Sequence, residues 1–363
     1  MESPAMAFSP RKIAQVLLYL AVTGVVLLVL SEGAVRMLKL APPLTEQYLL
    51  MKRRAPDPVL PYKLRPSIAF TGRSDTDEFD FRHIHNSSGF RDEEHAYRKP
   101  AGVFRILGLG DDFTYGIGAR YEESYLRRVE QALNARSGVH PPIEVIKAGI
   151  PRYFTQPERM FLQVYGVRYR PDIVLVGFEA NDVIDTYLGL EAVRVDESGY
   201  LKLRDAREIG PAGTFLYIHS DLARIALSRY MKRRIAEKYR IVRDEAYRPD
   251  GLYEDDWRQI EKELTTMAEI SHSIGARMVL LYIAEHDIAE RTAVERDYPP
   301  RRLSKWADRN GATFVDTTPA ILAAMASSPT PLYYSRDTRC TPTGYAVVAD
   351  VLYKALTENR LVP

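Results

Sequence analysis

Three segments of this chain place carboxylates, glycines and an amide directly after apolar runs. They are Gly110-Asp111-Asp112-Phe113-Thr114-Tyr115-Gly116, Ala148-Gly149-Ile150-Pro151 and Gly177-Phe178-Glu179-Ala180-Asn181-Asp182. A fourth, Asp337-Thr338-Arg339-Cys340-Thr341-Pro342-Thr343-Gly344, lies near the C-terminus. A carboxylate at neutral pH accepts hydrogen bonds but has no proton to give up, and arginine cannot act as a base in the usual range. Direct chemistry by Asp112 therefore means attack by the carboxylate itself, with a second residue to activate water for the following step. His286, with Asp287 beside it to orient the ring, is the candidate for that step, against a purely structural role for a lone histidine. Cys340 offers a thiol without an evident partner base. Asp111, Asp112 and Asp182 could face a cation, and His83 and His85 share one face of an alternating segment, but no metal or other cofactor is expected.

The elements that must hold these residues are legible from periodicity. Apolar strands are expected at Phe104 to Leu109, Ile143 to Ile146, Asp172 to Phe178, Arg277 to Ile283 and Ala312 to Asp316. Between them lie amphipathic helices at Glu122 to Arg136, with Leu126, Val129 and Leu133 on one face, at Gln156 to Tyr169, at Tyr253 to His272 and at Arg301 to Asn310. A last helix runs from Pro342 to about Thr357. Buried strands alternating with helices imply right-handed βαβ units and a parallel sheet, and ligands bind such sheets beyond the carboxyl ends of the strands. The fold class is α/β, a three-layer α/β/α sandwich of flavodoxin-like type with an N-terminal transmembrane helix. Residues 62 to 92 read as strands or a hairpin leading in. The stretch 184–249 breaks the rhythm and reads as an insertion or cap. Its helix from Asp221 to Arg243 carries Arg224, Arg229, Lys232, Arg233, Arg234, Lys238, Arg240 and Arg243, which form either a solvated face or a docking surface for a membrane or a membrane-protein partner.

The order and context of these segments resemble the SGNH/GDSL hydrolase superfamily over roughly Asn86 to Leu356. Asn86-Ser87-Ser88-Gly89-Phe90-Arg91-Asp92 looks like the lead-in of its membrane-anchored bacterial members. The family's first block is G-D-S-[FL]-[TS] with a serine nucleophile; here it reads G-D-D-F-T, so Asp112 stands in the serine's place. The resemblance implies an oxyanion hole from Gly149 and Asn181 and loop-bracing roles for Asp111 and Asp182. In the last block, D-x-x-H or D-G-H, Asp337 matches, while Arg339 or Cys340 replaces the histidine depending on spacing. Without hydroxyl and imidazole, the relay of ordinary acyl transfer is missing. Because a carboxylate and a guanidinium are complementary, Asp112 and Arg339 are expected to pair across the pocket. The carboxylate is also expected to accept from the Gly149 backbone and Asn181, as an internal mimic of the charged intermediate.

Outside this region, Arg11 and Lys12 precede an apolar run from Ile13 to Leu30, ~18 residues and near the short end of what spans a bilayer. A signal anchor and a cleaved signal peptide both fit this pattern; Ser31-Glu32-Gly33-Ala34 is a poor cleavage site, which favours the anchor. The expected organisation is a cytoplasmic tail at 1–12, the anchor at 13–30, a juxtamembrane linker at 31–61 and the SGNH-like domain at 62–363. Arg11 and Lys12 favour a cytoplasmic N-terminus, against a weaker contrary pull from Arg36 and Lys39, so the domain is expected on the extracytoplasmic side of the cell membrane as a single-pass protein. With 50 Lys and Arg against 48 Asp and Glu, nothing favours a nucleic-acid partner. The single cysteine excludes an internal disulfide. The expected function is a catalytically degenerate, membrane-anchored protein that binds an acylated carbohydrate or lipid, or an envelope partner. The alternatives are an altered acyl-ester hydrolase or O-acyltransferase using Asp112, and a structural subunit of a membrane complex.

Overall fold

The computed structural model describes residues 10–41, 54–74, 76–138, 140–190, 193 and 206–363. They fall into two compact units, Met1–Leu49 with Leu203–Glu237, and Leu50–Lys202 with Lys238–Pro363.

In the first unit, helix α1 runs from Pro10 to Met37. It extends past the apolar run at both ends because Ser31 to Met37 contain no helix breaker other than Gly33. Within Arg11–Met37 an 18-residue window has a mean hydropathy of 2.6, and this is the one helix among the described residues long and apolar enough to cross a membrane.

The second unit opens with short paired strands β1 (Arg54–Ala55) and β2 (Lys63–Leu64) and the hairpin of β3 (Ala69–Arg73) and β4 (Asp80–Ile84). Of the linker expected at 31–61, residues 42–53 lie outside the described residues, and Arg54 is in β1. The main domain follows as β5 (Phe104–Gly110), the one-turn helix α2 (Asp112–Tyr115), α3 (Tyr125–Asn134), β6 (Ile143–Gly149), α4 (Thr155–Val164), β7 (Ile173–Phe178) and α5 (Asn181–Leu188). Next come α6 (Ala206–His219), which belongs to the first unit, and α7 (Asp221–Ala246), which begins there. The chain then completes the domain with α8 (Glu254–Ser273), β8 (Arg277–Tyr282), α9 (Ala293–Asn310), β9 (Thr313–Asp316), α10 (Thr318–Ser327) and α11 (Pro342–Glu358). The expected insertion at 184–249 is therefore divided, with α6 and the start of α7 grouped with the anchor helix.

The five parallel strands stand in the order β6-β5-β7-β8-β9. Strands β5 to β8 are buried on both faces, so their residues alternate between two apolar layers, while the edge strand β9 is half-buried. Ile106, Val145, Ile173, Leu175, Val279, Leu281 and Val315 join Leu126, Val129 and Leu133 of α3 and Tyr345, Val348 and Leu352 of α11 in one core cluster. On the other face, α8 packs on β8, with Trp257 against Phe178. The sheet and its helical layers bear out the three-layer, flavodoxin-like expectation.

Helices α9 and α10 depart from the sequence reading, as do α5 and α6, which were not expected. α9 begins at Ala293, eight residues earlier than expected, with Pro299 and Pro300 inside it. A capping box starts it: Thr292 Oγ1 accepts from Glu295 N at 3.3 Å, and Glu295 Oε2 accepts from Thr292 N at 3.0 Å. α10 was not expected; Pro319 in its first turn and a run of alanines favour it.

Candidate active site

The strand order reverses beside β5: β6 lies on one side of it and β7 on the other. The crevice between the carboxyl ends of β5 and β7 is thus the switch point where open sheets bind ligands. It brings Asp111 and Asp112, at the end of β5, next to Asn181, after β7. Asp111 caps α2, accepting from Phe113 N at 3.0 Å through Oδ1. Its other oxygen accepts from Asn181 Nδ2 at 3.0 Å. Gly149 contributes by having no side chain: a Cβ there would lie 2.3 Å from Tyr115 N, so α2 could not settle on the end of β6.

Arg339 reaches Asp112 from the turn before α11. Its Nη2 donates to Asp112 Oδ2 at 2.6 Å and its Nε to the same oxygen at 3.1 Å. Its Nη1 donates to Asp337 Oδ1 at 2.8 Å. The guanidinium thus bridges two carboxylates whose side chains are 14% and 7% exposed, and is itself 27% exposed. Burial disfavours its charge, but the two carboxylates outweigh this and hold its pKa above the ordinary arginine value.

The oxyanion-hole mimic expected for Asp112 is not formed. Asn181 donates to Asp111 rather than Asp112, because the Asp111 side chain turns inward beneath the crevice. Among the described residues, the Asp112 carboxylate takes its side-chain hydrogen bonds from Arg339 alone. Cys340 is not at the crevice. Its backbone bridges Tyr333, and its side chain is fully buried in the apolar core, where burial pushes the thiol pKa far up. His286 sits half-buried in the turn after β8. Asp287, expected to orient its ring, accepts from Arg291 Nη2 at 2.8 Å. His83 in β4 and His85 just after it do point to the same side: His83 Nδ1 and His85 Nε2 both meet one phenol, Tyr115 Oη, at 3.0 and 2.9 Å. They brace the turn that carries Asp112. No group of acidic, cysteine or histidine residues among the described residues is arranged to hold a metal ion.

Asp182 also lies below the crevice, where its Oδ2 accepts from Glu179 N at 3.2 Å. With it are Asp111, Glu158 and Glu179, all almost fully buried. Desolvation comes first in raising the carboxyl pKa of each, and the neighbouring carboxyls add to it; Glu158, Glu179 and Asp182 are raised well above the ordinary range.

Two braces hold the site loops from outside the motif strands. The lead-in Asn86 to Asp92 holds the site loop: Arg91 Nη2 donates to Ala119 O at 2.7 Å, and Asp92 accepts from Lys147 Nζ at 3.0 Å. Glu78, in the β3–β4 turn, accepts from Ser335 Oγ at 2.8 Å, Arg336 N at 3.1 Å and Asp337 N at 2.7 Å. A glutamate in a hairpin turn gives no sign of a loop some 260 residues away, whereas the Asn86–Asp92 motif did give one. Glu78→Ala is expected to raise amide hydrogen exchange at Arg336 and Asp337 about tenfold while β5 and β7 keep their protection. Unchanged exchange at those two amides would show that Glu78 does not hold the loop.

The parallel sheet in this strand order, with the four motif segments at its carboxyl edge, settles the architecture. The domain has a flavodoxin-like α/β/α fold, with the segments that resemble SGNH/GDSL hydrolases at its carboxyl edge. No protein-family model matches the chain, and no curated protein matches it. Among solved structures, the chain is similar to TesA at 11% identity and a TM-score of 0.42, over 70% of this chain and 98% of that one. It is similar to a lipolytic protein of the G-D-S-L family from Desulfitobacterium hafniense at 13% identity and a TM-score of 0.40, over 69% and 99%. A mutant of Axe2, an acetylxylan esterase from Geobacillus stearothermophilus, shows 13% identity and a TM-score of 0.43, over 70% and 94%. At such identities residue roles do not transfer, and the site of this SGNH-like domain is read from its own geometry.

Proposed function

We propose that the SGNH-like domain is a non-hydrolytic module, tethered by α1 to the cell membrane with the domain on the extracytoplasmic side, and that it binds an acylated carbohydrate or lipid at the crevice. The observation that carries the first part is the contact of Arg339 Nη2 with Asp112 Oδ2 at 2.6 Å. It fills the space where a nucleophile and its base would meet with two groups that exchange no proton under ordinary conditions. The amide that would polarise a carbonyl is bound to Asp111. The ligand class is what the resemblance to the SGNH/GDSL hydrolases implies.

The side chains of residues 112, 339 and 337 touch in the sequence nucleophile, base, orienter. Restoring the chemistry therefore takes two changes. On a panel of short- and medium-chain aryl esters and an acetylated oligosaccharide, the native protein in mild detergent is expected to show no turnover, and Asp112→Ser none either. Asp112→Ser with Arg339→His should exceed the single variant about 100-fold, the usual yield of a positioned general base. Native turnover abolished by Asp112→Ala would defeat the non-hydrolytic reading. Calorimetry with acylated and deacylated forms of the same oligosaccharide, and with lipid, tests the ligand; no preference for any acylated form would defeat that part.

A further inference from the structure

The first unit contains a junction that no part of the crevice uses. The corner between α6 and α7, His219-Ser220-Asp221, is held by two side chains of α1. Glu32 accepts from Ser220 Oγ at 2.8 Å, Asp221 N at 2.8 Å and Leu222 N at 3.0 Å, so it satisfies free amides at the start of α7 from another helix. Arg36 donates through Nη2 to His219 O at 2.7 Å, the closing carbonyl of α6, and pairs with Glu32 at 2.6 Å. Arg224, expected among the docking cations, instead turns inward to Tyr217 O at 3.0 Å and Asp221 at 2.5 Å. Glu32 and Arg36 lie just past Leu30, where the apolar run ends, so the corner is fixed at the level where a spanning helix leaves the hydrocarbon.

α6 breaks at Gly210, where φ is 64°, and Pro211 opens its second half. That half presents Phe215, Leu216 and Ile218 to the outside at 61%, 49% and 39% exposure. Three large apolar side chains on one turn are costly in water, and they are tethered to a helix whose apolar run has no buried residue.

We propose that the second half of α6 is a membrane-interface helix, with Phe215, Leu216 and Ile218 in the acyl-chain boundary of the bilayer that α1 spans. The occupant of this face is lipid, because the Glu32–Arg36 clasp ties the end of this helix to the point where the apolar run of α1 ends. The proposal rests on the anchor reading of α1.

Phe215→Trp tests it in the full-length protein, reconstituted into phosphatidylcholine vesicles with brominated acyl chains. The native Trp257 and Trp306 are buried in the other unit and supply the baseline. Leu20→Trp, in the middle of α1, reports on the anchor alone. Both new tryptophans are expected to be quenched by roughly half or more, as for side chains some 5–10 Å into the interface. In Phe215→Trp, adding Glu32→Ala should relieve the quenching at 215 while Leu20→Trp stays quenched. Quenching at 20 without quenching at 215 would overturn the proposal and leave the anchor standing; a second copy covering the face gives that result, with a blue-shifted emission. No quenching at 20 would remove the anchor reading and the proposal with it.

Discussion

Arg339→Ala is expected to destabilise the α/β unit by about 3 kcal/mol, and Asp112→Ala by only about 1 kcal/mol. The asymmetry comes from what each change leaves behind. Without Arg339, Asp112 and Asp337 face the same partly buried space with no cation between them, and Asp111 lies adjacent in the chain. Without Asp112, Arg339 keeps its contact with Asp337 at 2.8 Å. Removing one partner of a buried pair costs the desolvation of the other, whereas removing both restores much of the loss. Asp112→Asn in the Arg339→Ala background should therefore recover stability. Urea unfolding of the full-length protein in mild detergent, followed by the fluorescence of Trp257 and Trp306, measures all of these. Equal losses from the two single variants, or a larger loss from Asp112→Ala, would mean that the bridge does not carry the electrostatic weight given to it.

The encounter of Asp112 with Arg339 was legible because two substitutions at motif positions were complementary in charge, and charge complementarity needs no coordinates. The sheet was legible for a different reason. Runs such as Ile173-Val174-Leu175-Val176 are buried on both faces, and only a parallel sheet between helical layers asks for that. The partner of Asn181 was not legible. Asp111 and Asp112 are neighbours in sequence, and which of them turns inward depends on the backbone at the end of β5, where Gly110 adopts a φ of 150°. Glu158 left a signal that went unread: Thr155, Glu158 and Leu162 share the spacing of one helical face, and all three are buried. A glutamate on the apolar face of a helix marks a buried carboxyl. The grouping of α6 with the anchor left no signal, because Glu32 and Arg36 read equally well as flanking charges of the membrane helix.

The buried carboxyls predict an unusual pH profile. Glu158, Glu179 and Asp182 are raised well above the ordinary range by burial first and by their neighbours next. Below the ordinary carboxyl range these groups are protonated in both states and favour neither. As pH rises through that range, the unfolded chain releases protons that the folded domain keeps, so each raised group erodes stability until its own folded pKa is reached. Each retained proton contributes a slope of about 1.4 kcal/mol per pH unit. On the acid side the sign reverses. Burial alone would raise Asp92, but Lys147 and His95 bring its pKa down to about 2, and that stabilisation is lost as pH falls below the ordinary range. Stability is therefore expected to peak at about pH 5 and to decline toward pH 8 by at least one proton's worth of slope. Glu158→Gln and Glu179→Gln should each flatten the decline above pH 5 and leave the acid limb unchanged. Asp92→Asn should flatten only the acid limb. Urea midpoints measured from pH 3 to 9 decide the matter: stability rising from pH 5 to 8, or a slope indifferent to both glutamine substitutions, would show that these carboxyls ionise within the fold.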